Sequence, residues 1–385
     1  MIKIITIIGA RPQIIKAAAV SRAIRNHFQE SITEIIVHTG QHYDANMSAV
    51  FFEELNIPQP NYNLNVGSGN HGKQTAKMIE GIEEILVIEK PNAIVLYGDT
   101  NSTLAGAIAA SKIHIDVIHI EAGLRSFNKQ MPEEINRIMC DHVSTLLFSP
   151  TQSGYQNLIK EGFTTETSAP FHIDNPKIYH SGDVMYDNSL HFMEIANKNE
   201  IILNSNQLEK NNFILATIHR NNNTDEPERL NAIFSALNKI TEQHHIDIVL
   251  PLHPRTNHLL KSNLNDSLYE KTLSNKRIKI IEPVSFIEMI VLESNCKLVV
   301  TDSGGLQKEA FYFKKPCVIL RKETEWVEIV ECGAAILVDA NETAVLNAYH
   351  LLNSNNNLLY PPLFGNGKAA EFICEEIVKN FNITQ

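Results

Sequence analysis

Met1-Ile2-Lys3-Ile4-Ile5-Thr6-Ile7-Ile8-Gly9-Ala10-Arg11-Pro12-Gln13 begins as an apolar run, breaks at a glycine and resumes as a helix start. A continuous apolar run, rather than an alternating one, suits a strand covered on both faces, as in a parallel sheet. Pro12 fits the first turn of a helix, where its missing N–H leaves nothing unsatisfied. Arg11 therefore falls at the carboxyl end of a first strand. The run is too short for a secretory signal and leads straight into Gly9.

The strand, turn and helix pattern recurs along the chain. Short Ile/Val-rich runs at 34–39, 93–97, 117–120, 146–149 and 178–180 continue the series opened by 2–8, with helical periodicity predicted at 12–28, 46–55, 73–90, 102–112, 132–143 and 153–161. A second series of strands is predicted at 213–217, 246–250, 278–281, 298–301, 317–320 and 335–338. The Asn-rich stretch 197–212 between them reads as a linker, and 369–381 as a closing helix able to pack on either domain. The fold class is α/β, with two Rossmann-like domains facing a cleft: residues 1–196, a linker at 197–212, residues 213–368, and a C-terminal helix within 369–385.

Composition narrows the function. Lys+Arg 33 against Asp+Glu 44 leaves a net charge of -11, which lacks the footprint of a general nucleic-acid binder. Hydrophobic residues at 43% and charged residues at 20% argue for an ordered globular chain rather than a disordered one. Five scattered cysteines indicate neither a disulfide framework nor a zinc site, which points to the cytosol. No apolar stretch approaches the roughly 18 residues of a membrane span, and no metal is called for by any His/Asp/Glu spacing.

The chemistry-bearing residues gather at predicted strand ends, where open α/β sheets bind ligands. Arg11, close to a helix N-terminus, suits a phosphate through its forked donors, or else it is a surface arginine on an ordinary turn. Thr301-Asp302-Ser303-Gly304-Gly305 repeats strand, small-residue turn and helix; its glycines expose N–H groups for a pyrophosphate, and Glu309, further along the helix, can accept ribose hydroxyls. Asp99, Glu121 and Glu133 fall at one rim of the first domain, where clustered carboxylates shift one another's pKa and can supply both a proton donor and an acceptor. Taken singly, Asp99 also reads as the cap of the following helix and Glu133 as a partner for a helix dipole. His219 follows the first strand of the second series, and His253 is a weaker candidate after the next. Neither the Gly-x-Gly-x-x-Gly dinucleotide fingerprint after the first strand nor a P-loop is present, which weighs against dehydrogenases and kinases.

Six motifs in order, Gly9-Ala10-Arg11-Pro12, Gly98-Asp99-Thr100, His119-Ile120-Glu121-Ala122-Gly123-Leu124-Arg125, Pro132-Glu133-Glu134-Ile135-Asn136-Arg137, His219-Arg220 and Thr301-Asp302-Ser303-Gly304-Gly305, resemble the non-hydrolysing UDP-N-acetylglucosamine 2-epimerase family. The resemblance implies a GT-B-like fold, a UDP-sugar substrate, no cofactor and a homodimer. It implies acid/base roles for Asp99, Glu121 and Glu133, and a place near the diphosphate for His219. By the same resemblance Arg11 and Lys16 contact phosphate, Ser303, Gly304 and Gly305 the pyrophosphate, Glu309 the ribose, and Arg137 the UDP-sugar. The branch acting on UDP-2,3-diacetamido-2,3-dideoxy-glucuronate is the most similar, through Gly9-Ala10-Arg11-Pro12-Gln13 and Gln41-His42-Tyr43-Asp44; Arg125 and Lys129 then become partners for a sugar carboxylate or remain residues of a solvated loop. Tyr43 and Asp44 stand where some members carry an activator-binding Arg-Gln. A GT-B glycosyltransferase and a non-enzymatic UDP-sugar sensor share the fold and the phosphate turns, but neither needs the three carboxylates. The resemblance also implies a role in surface polysaccharide precursor synthesis.

Overall fold

Every isoleucine of β1 (Ile2–Ile8) is buried, because the strand lies in the middle of a sheet covered on both faces. The computed structural model describes residues 1–41, 57–196, 200–252, 254–355 and 357–382. They form two units, Met1–Asn188 with Pro362–Gln385, and Ser189–Pro361.

In the first unit β1 pairs in parallel with β2 (Ile32–His38) on one side and β4 (Ala93–Tyr97) on the other. The sheet continues through β5 (Asp116–Ile120), β6 (Leu146–Ser149) and β7 (Lys177–His180), with the two-residue β3 (Tyr62–Asn63) at the far edge, giving the order β3-β2-β1-β4-β5-β6-β7. The strand order reverses between β1 and β4, which opens a crevice at their carboxyl ends. Gly9 stands at that reversal for a steric reason: a Cβ there would lie 2.1 Å from Thr39 Oγ1 and 2.2 Å from Ser102 Oγ.

One face of this sheet is covered by helices His71–Glu89 and Asn101–Lys112. Small residues make their close packing feasible: Ala105, Ala107, Ala109 and Ala110 are buried with Met78, Ile82 and Leu86 in one cluster with Ile5, Ile7, Ile94 and Leu96. Helix Arg11–Ala23, which runs on into a π-helical turn at Ile24–Phe28, packs against the C-terminal helix Ala369–Phe381.

The second unit repeats the plan with six parallel strands, β8 (Phe213–Thr217), β9 (Asp247–Pro251), β10 (Ile278–Ile281), β11 (Leu298–Thr301), β12 (Cys317–Ile319) and β13 (Ala335–Leu337), ordered β10-β9-β8-β11-β12-β13. Its reversal falls between β8 and β11, and its core joins Ile214, Ile248, Leu298 and Val318 to Phe234 and Leu237 of helix Pro227–His244.

The two series of strands sit at the predicted positions to within a residue or two, but the boundaries between units do not. The division falls at 188/189, inside helix Val184–Ala196, and residues 362–385 return to the first unit. The stretch taken as a linker contains helix Ile201–Ser205, in which Ile202 and Leu203 are buried; its asparagines conceal this short apolar contact. The predicted helix at 46–55 lies outside the described residues, as do His42, Tyr43, Asp44 and His253.

Asp187 fastens the C-terminal helix to the first unit. Its buried carboxylate accepts hydrogen bonds from the N–H groups of Ala369 (3.1 Å) and Ala370 (2.7 Å), a capping role that no residue beside the helix start fills. Replacing Asp187 with alanine is expected to cost about 1–2 kcal/mol, the usual worth of a lost cap. Hydrogen exchange should then accelerate in 369–381 first; unchanged protection there would show that the cap is not what holds the helix.

Candidate active site

The rim of the β1–β4–β5 crevice collects charge from three turns. Lys16, one turn into helix Arg11–Ala23, pairs with Glu121, which follows β5 directly; both side chains are nearly buried. Gly98, which follows β4, lies against this pair: a Cβ would sit 3.0 Å from Glu121 Oε2 and 3.1 Å from Lys16 Nζ. Glu121 itself has φ 75°, a left-handed conformation that costs a non-glycine residue free energy and is characteristic of functional sites.

Asp99 is the next residue along the rim. It does not cap helix Asn101–Lys112, which is one of the two readings its position allows, because Thr100 takes that role and accepts the Thr103 N–H. The Asp99 carboxylate is thereby left to pair with Arg137 Nη2 at 2.5 Å, and its backbone carbonyl accepts from Asn136 Nδ2 at 2.9 Å. Burial raises the Asp99 pKa from its ordinary value, with Arg137 and Lys16 pulling it down and Glu121 pushing it up. Burial opposes the Arg137 charge, but Asp99, Glu121 and Glu134 more than restore it.

Glu134 is the residue that sequence reasoning misses. It is 1% exposed and accepts from Ser126 N (2.9 Å), Ser126 Oγ (3.0 Å), Phe127 N (2.9 Å) and Arg137 Nη1 (3.0 Å). Burial works against its charge, yet these donors hold its pKa below the ordinary value. It aims Arg137 at Asp99. Its neighbour Glu133 lies on the exposed first turn of helix Pro132–Asp141. Of the three carboxylates placed at this rim by sequence, the structure links Asp99 and Glu121 through Lys16 and Arg137, with Glu133 one residue away from Glu134. Arg11 is exposed at the first position of its helix.

Arg125 corrects an expectation. Rather than facing a sugar carboxylate, it is 6% exposed and bonded to Asp141 Oδ2 (2.7 Å), to Glu161 through Nε and Nη2 (each 2.7 Å) and to the Leu124 carbonyl. A buried guanidinium needs such partners, and these two carboxylates occupy its fork. Lys129 is exposed.

Gln13 explains its own place in the motif. Its Oε1 accepts from Gly9 N (3.0 Å) and Ala10 N (3.2 Å), and its Nε2 donates to Tyr97 O (3.1 Å) and Thr103 Oγ1 (3.0 Å), tying the turn after β1 to the turn after β4.

In the second unit the matching crevice is built around Asp302, which is wholly buried after β11. It accepts from His219 N, Arg220 N and Asn223 Nδ2 at 3.0–3.2 Å, so the turn after β8 is bound to the turn after β11. This leaves the His219 ring half exposed, with Nδ1 3.3 Å from Asp302 Oδ1. Ser303 caps helix Gly304–Tyr312, and the N–H groups of Gly304 and Gly305, first in the helix, have no intrahelical acceptor. Around Gly305 the space is open, with nothing nearer a Cβ than Ser303 Oγ at 3.9 Å. Such a turn receives phosphate oxygens. Glu309 is half-buried on the second turn of this helix. Glu293, on helix Phe286–Asn295, is fully buried with no hydrogen-bond partner on either oxygen among the described residues; burial, with the Glu309 charge second, pushes its pKa well up. Among the described residues no group of three or more His, Cys, Asp or Glu side chains is arranged to hold a metal, and no helix is long and apolar enough to cross a membrane.

Two Rossmann-like units, one with paired carboxylates at its strand reversal and the other with a phosphate-type turn at the corresponding point, define a GT-B-like enzyme of the nucleotide-sugar class. The family model for UDP-N-acetylglucosamine 2-epimerase matches residues 24–378. The chain is 48% identical to the UDP-2,3-diacetamido-2,3-dideoxy-D-glucuronate 2-epimerase of Pseudomonas aeruginosa, over 98% of this chain and 99% of that one. It is 46% identical to a UDP-N-acetylglucosamine 2-epimerase of Methanocaldococcus jannaschii, over 96% and 97% of the two chains. A crystal structure of the Methanocaldococcus jannaschii UDP-GlcNAc 2-epimerase in complex with UDP-GlcNAc and UDP superposes with a TM-score of 0.83 at 44% identity, covering 98% of this chain and 100% of that one. The chain belongs to the UDP-N-acetylglucosamine 2-epimerase family and is an isomerase acting on carbohydrates.

Arg137 lowers the Asp99 pKa against the effect of burial, so Arg137→Met should raise the midpoint of the Asp99 carboxyl titration, followed by carbon NMR. A midpoint that stays put or falls would show that the ion pair does not set the charge of Asp99.

Proposed function

We propose that the protein inverts C2 of a UDP-2-acetamido sugar by eliminating UDP and adding it back. The carrying observation is the Lys16–Glu121 pair beside the Asp99–Arg137 pair at one strand reversal: a nearly buried carboxylate and a half-buried one, each held by its own cation, at the strand ends where open α/β sheets bind ligands.

The chemistry needs this division of labour. The C2 proton of the sugar is weakly acidic, so departure of the diphosphate leads and builds oxocarbenium character that eases proton loss. Asp99, Glu121 and Glu133 supply the acid and base, with Asp99 suited to carrying a proton because burial raises its pKa. Lys16 and Arg11 meet phosphate charge from the first unit. In the second unit Ser303, Gly304 and Gly305 receive the pyrophosphate, His219 lies by the diphosphate and Glu309 takes the ribose hydroxyls. Arg137 acts on the substrate side through the carboxylate it orients. Reprotonation of the 2-acetamidoglycal from the opposite face, followed by return of UDP, completes the inversion without a redox cofactor.

The substrate is UDP-N-acetylglucosamine or UDP-2,3-diacetamido-2,3-dideoxy-glucuronate. The second is favoured by the Gly9-Ala10-Arg11-Pro12-Gln13 start and by the Pseudomonas aeruginosa relative. The reading includes a cytoplasmic homodimer that serves surface polysaccharide synthesis, as the family resemblance implies. The scatter of the five cysteines supports the compartment.

Proton NMR in deuterated water, with each UDP-sugar separately, should show deuterium entering C2 as the manno epimer appears. A transferase leaves C2 protonated when no acceptor is present, and a sensor binds without exchange; either outcome would overturn the proposal. Glu121→Gln and Asp99→Asn are each expected to lower kcat by at least about 100-fold, the low end for losing an acid or base, while UDP affinity holds. Turnover retained in both would remove these carboxylates from the reaction. Arg11→Ala should instead weaken UDP binding by about 10-fold or more, as for a lost charged hydrogen bond; calorimetry showing unchanged affinity would refute the phosphate contact.

A further inference from the structure

The fully buried histidine of β5, His119, is bonded at both ring nitrogens to atoms that carry catalytically placed turns. Nδ1 lies 2.6 Å from Asp141 Oδ1 and Nε2 lies 2.8 Å from the Gly98 carbonyl oxygen. A carbonyl oxygen only accepts, so Nε2 carries a proton. Asp141 Oδ2 already takes the Gly123 N–H (3.1 Å) and Arg125 Nη2 (2.7 Å), and the guanidinium charge against it favours an ionised carboxylate. Nδ1 therefore also donates. Against an ionised Asp141, a neutral ring would set one lone pair against an acceptor at hydrogen-bond distance, in a site with no water-exposed surface.

We propose that His119 is a positioning residue: a permanently charged imidazolium that clamps the Gly98–Asp99 turn and, through Asp141, the Glu121–Gly123 turn into one arrangement. The proposal rests on the epimerase reading and adds to it a residue that touches no substrate.

The clamp extends beyond the ring. Glu161 holds Arg125, Arg125 and His119 hold Asp141, and Asp141 holds the backbone of Gly123, two residues past Glu121. Two carboxylates and two cations balance, so the network adds no net charge beneath the rim. Facing the ring from helix Pro132–Asp141 are Cys140 and Asp141, with Arg125 behind Asp141. Burial alone would discharge the imidazole, but Cys140 and Asp141 raise its pKa well above the ordinary histidine value. Burial likewise penalises the Asp141 charge, and His119 and Arg125 overcome it to hold its pKa low. Glu121 needs such bracing because its left-handed backbone is costly by itself.

Nitrogen NMR of the native enzyme tests the charge directly. The account expects two ring N–H signals for His119 that persist between about pH 6 and 9, across the range where an ordinary histidine titrates. A ring with a single N–H, or one titrating near the ordinary value, overturns it. His119→Ala, His119→Asn and His119→Gln test the positioning. Misplacing the two turns should lower kcat about 10- to 100-fold with UDP affinity unchanged. Gln should recover more activity than Asn or Ala, because only its amide nitrogen reaches the Gly98 carbonyl. Native kcat in His119→Ala overturns the role. If the variants do not fold, the ring signals of the native protein still decide. If the native enzyme exchanges C2 of neither UDP-sugar, the epimerase reading fails and the catalytic role falls with it, whereas the ring signals report the clamp independently.

Discussion

Charge compensation at the strand reversal of the first unit is the constraint on which the other features depend. Two carboxylates lie partly or almost wholly out of water here, and an unpaired buried charge is too costly to keep. Lys16 answers Glu121 and Arg137 answers Asp99. Each cation must then be aimed: Lys16 by its place one turn into the helix that begins at Arg11, Arg137 by Glu134, which in turn is held by the Ser126 and Phe127 backbone. The glycines follow from the same crowding, since Gly98 has no room for a side chain beside the Lys16–Glu121 pair.

The two units use one architecture for different electrostatic ends. Each reverses its strand order and fastens the two turns at the reversal with a buried polar side chain, Gln13 in the first and Asp302 in the second. In the first unit the fastening leaves carboxylates at the rim. In the second it leaves helix N–H groups and an exposed His219 ring, a surface for negative charge.

Much of this was legible in the chain. Continuous Ile/Val runs located every strand except β3, whose two residues, Tyr62 and Asn63, are too few to carry a pattern. The strand-end turns exposed Asp99, Glu121, Ser303 and the glycines because position after a strand is a local property. What was not legible depends on partners far apart in sequence. Arg125 reads as a partner for a sugar carboxylate or a residue of a solvated loop until Asp141 and Glu161 are found on either side of it, and His119 carries no signal of its own until its ring is seen between Gly98 and Asp141. Glu133 and Glu134 are adjacent and chemically alike, so only the fold reveals that Glu134 is the buried one bound to Arg137. The limits of the compact units differ from the expected ones for a related reason: the return of 362–385 to the first unit is secured by Asp187, about 180 residues earlier in the chain.

The central claim is that the C1–O bond to UDP breaks and reforms at this site. It is tested most directly by placing a heavy-oxygen label in the bridge between C1 and the β-phosphorus of the UDP-sugar and following its position by phosphorus NMR during epimerisation. The account predicts that the label scrambles into the non-bridging β-phosphate positions at least as fast as the epimer forms. Epimer accumulating with the label still in the bridge would contradict it.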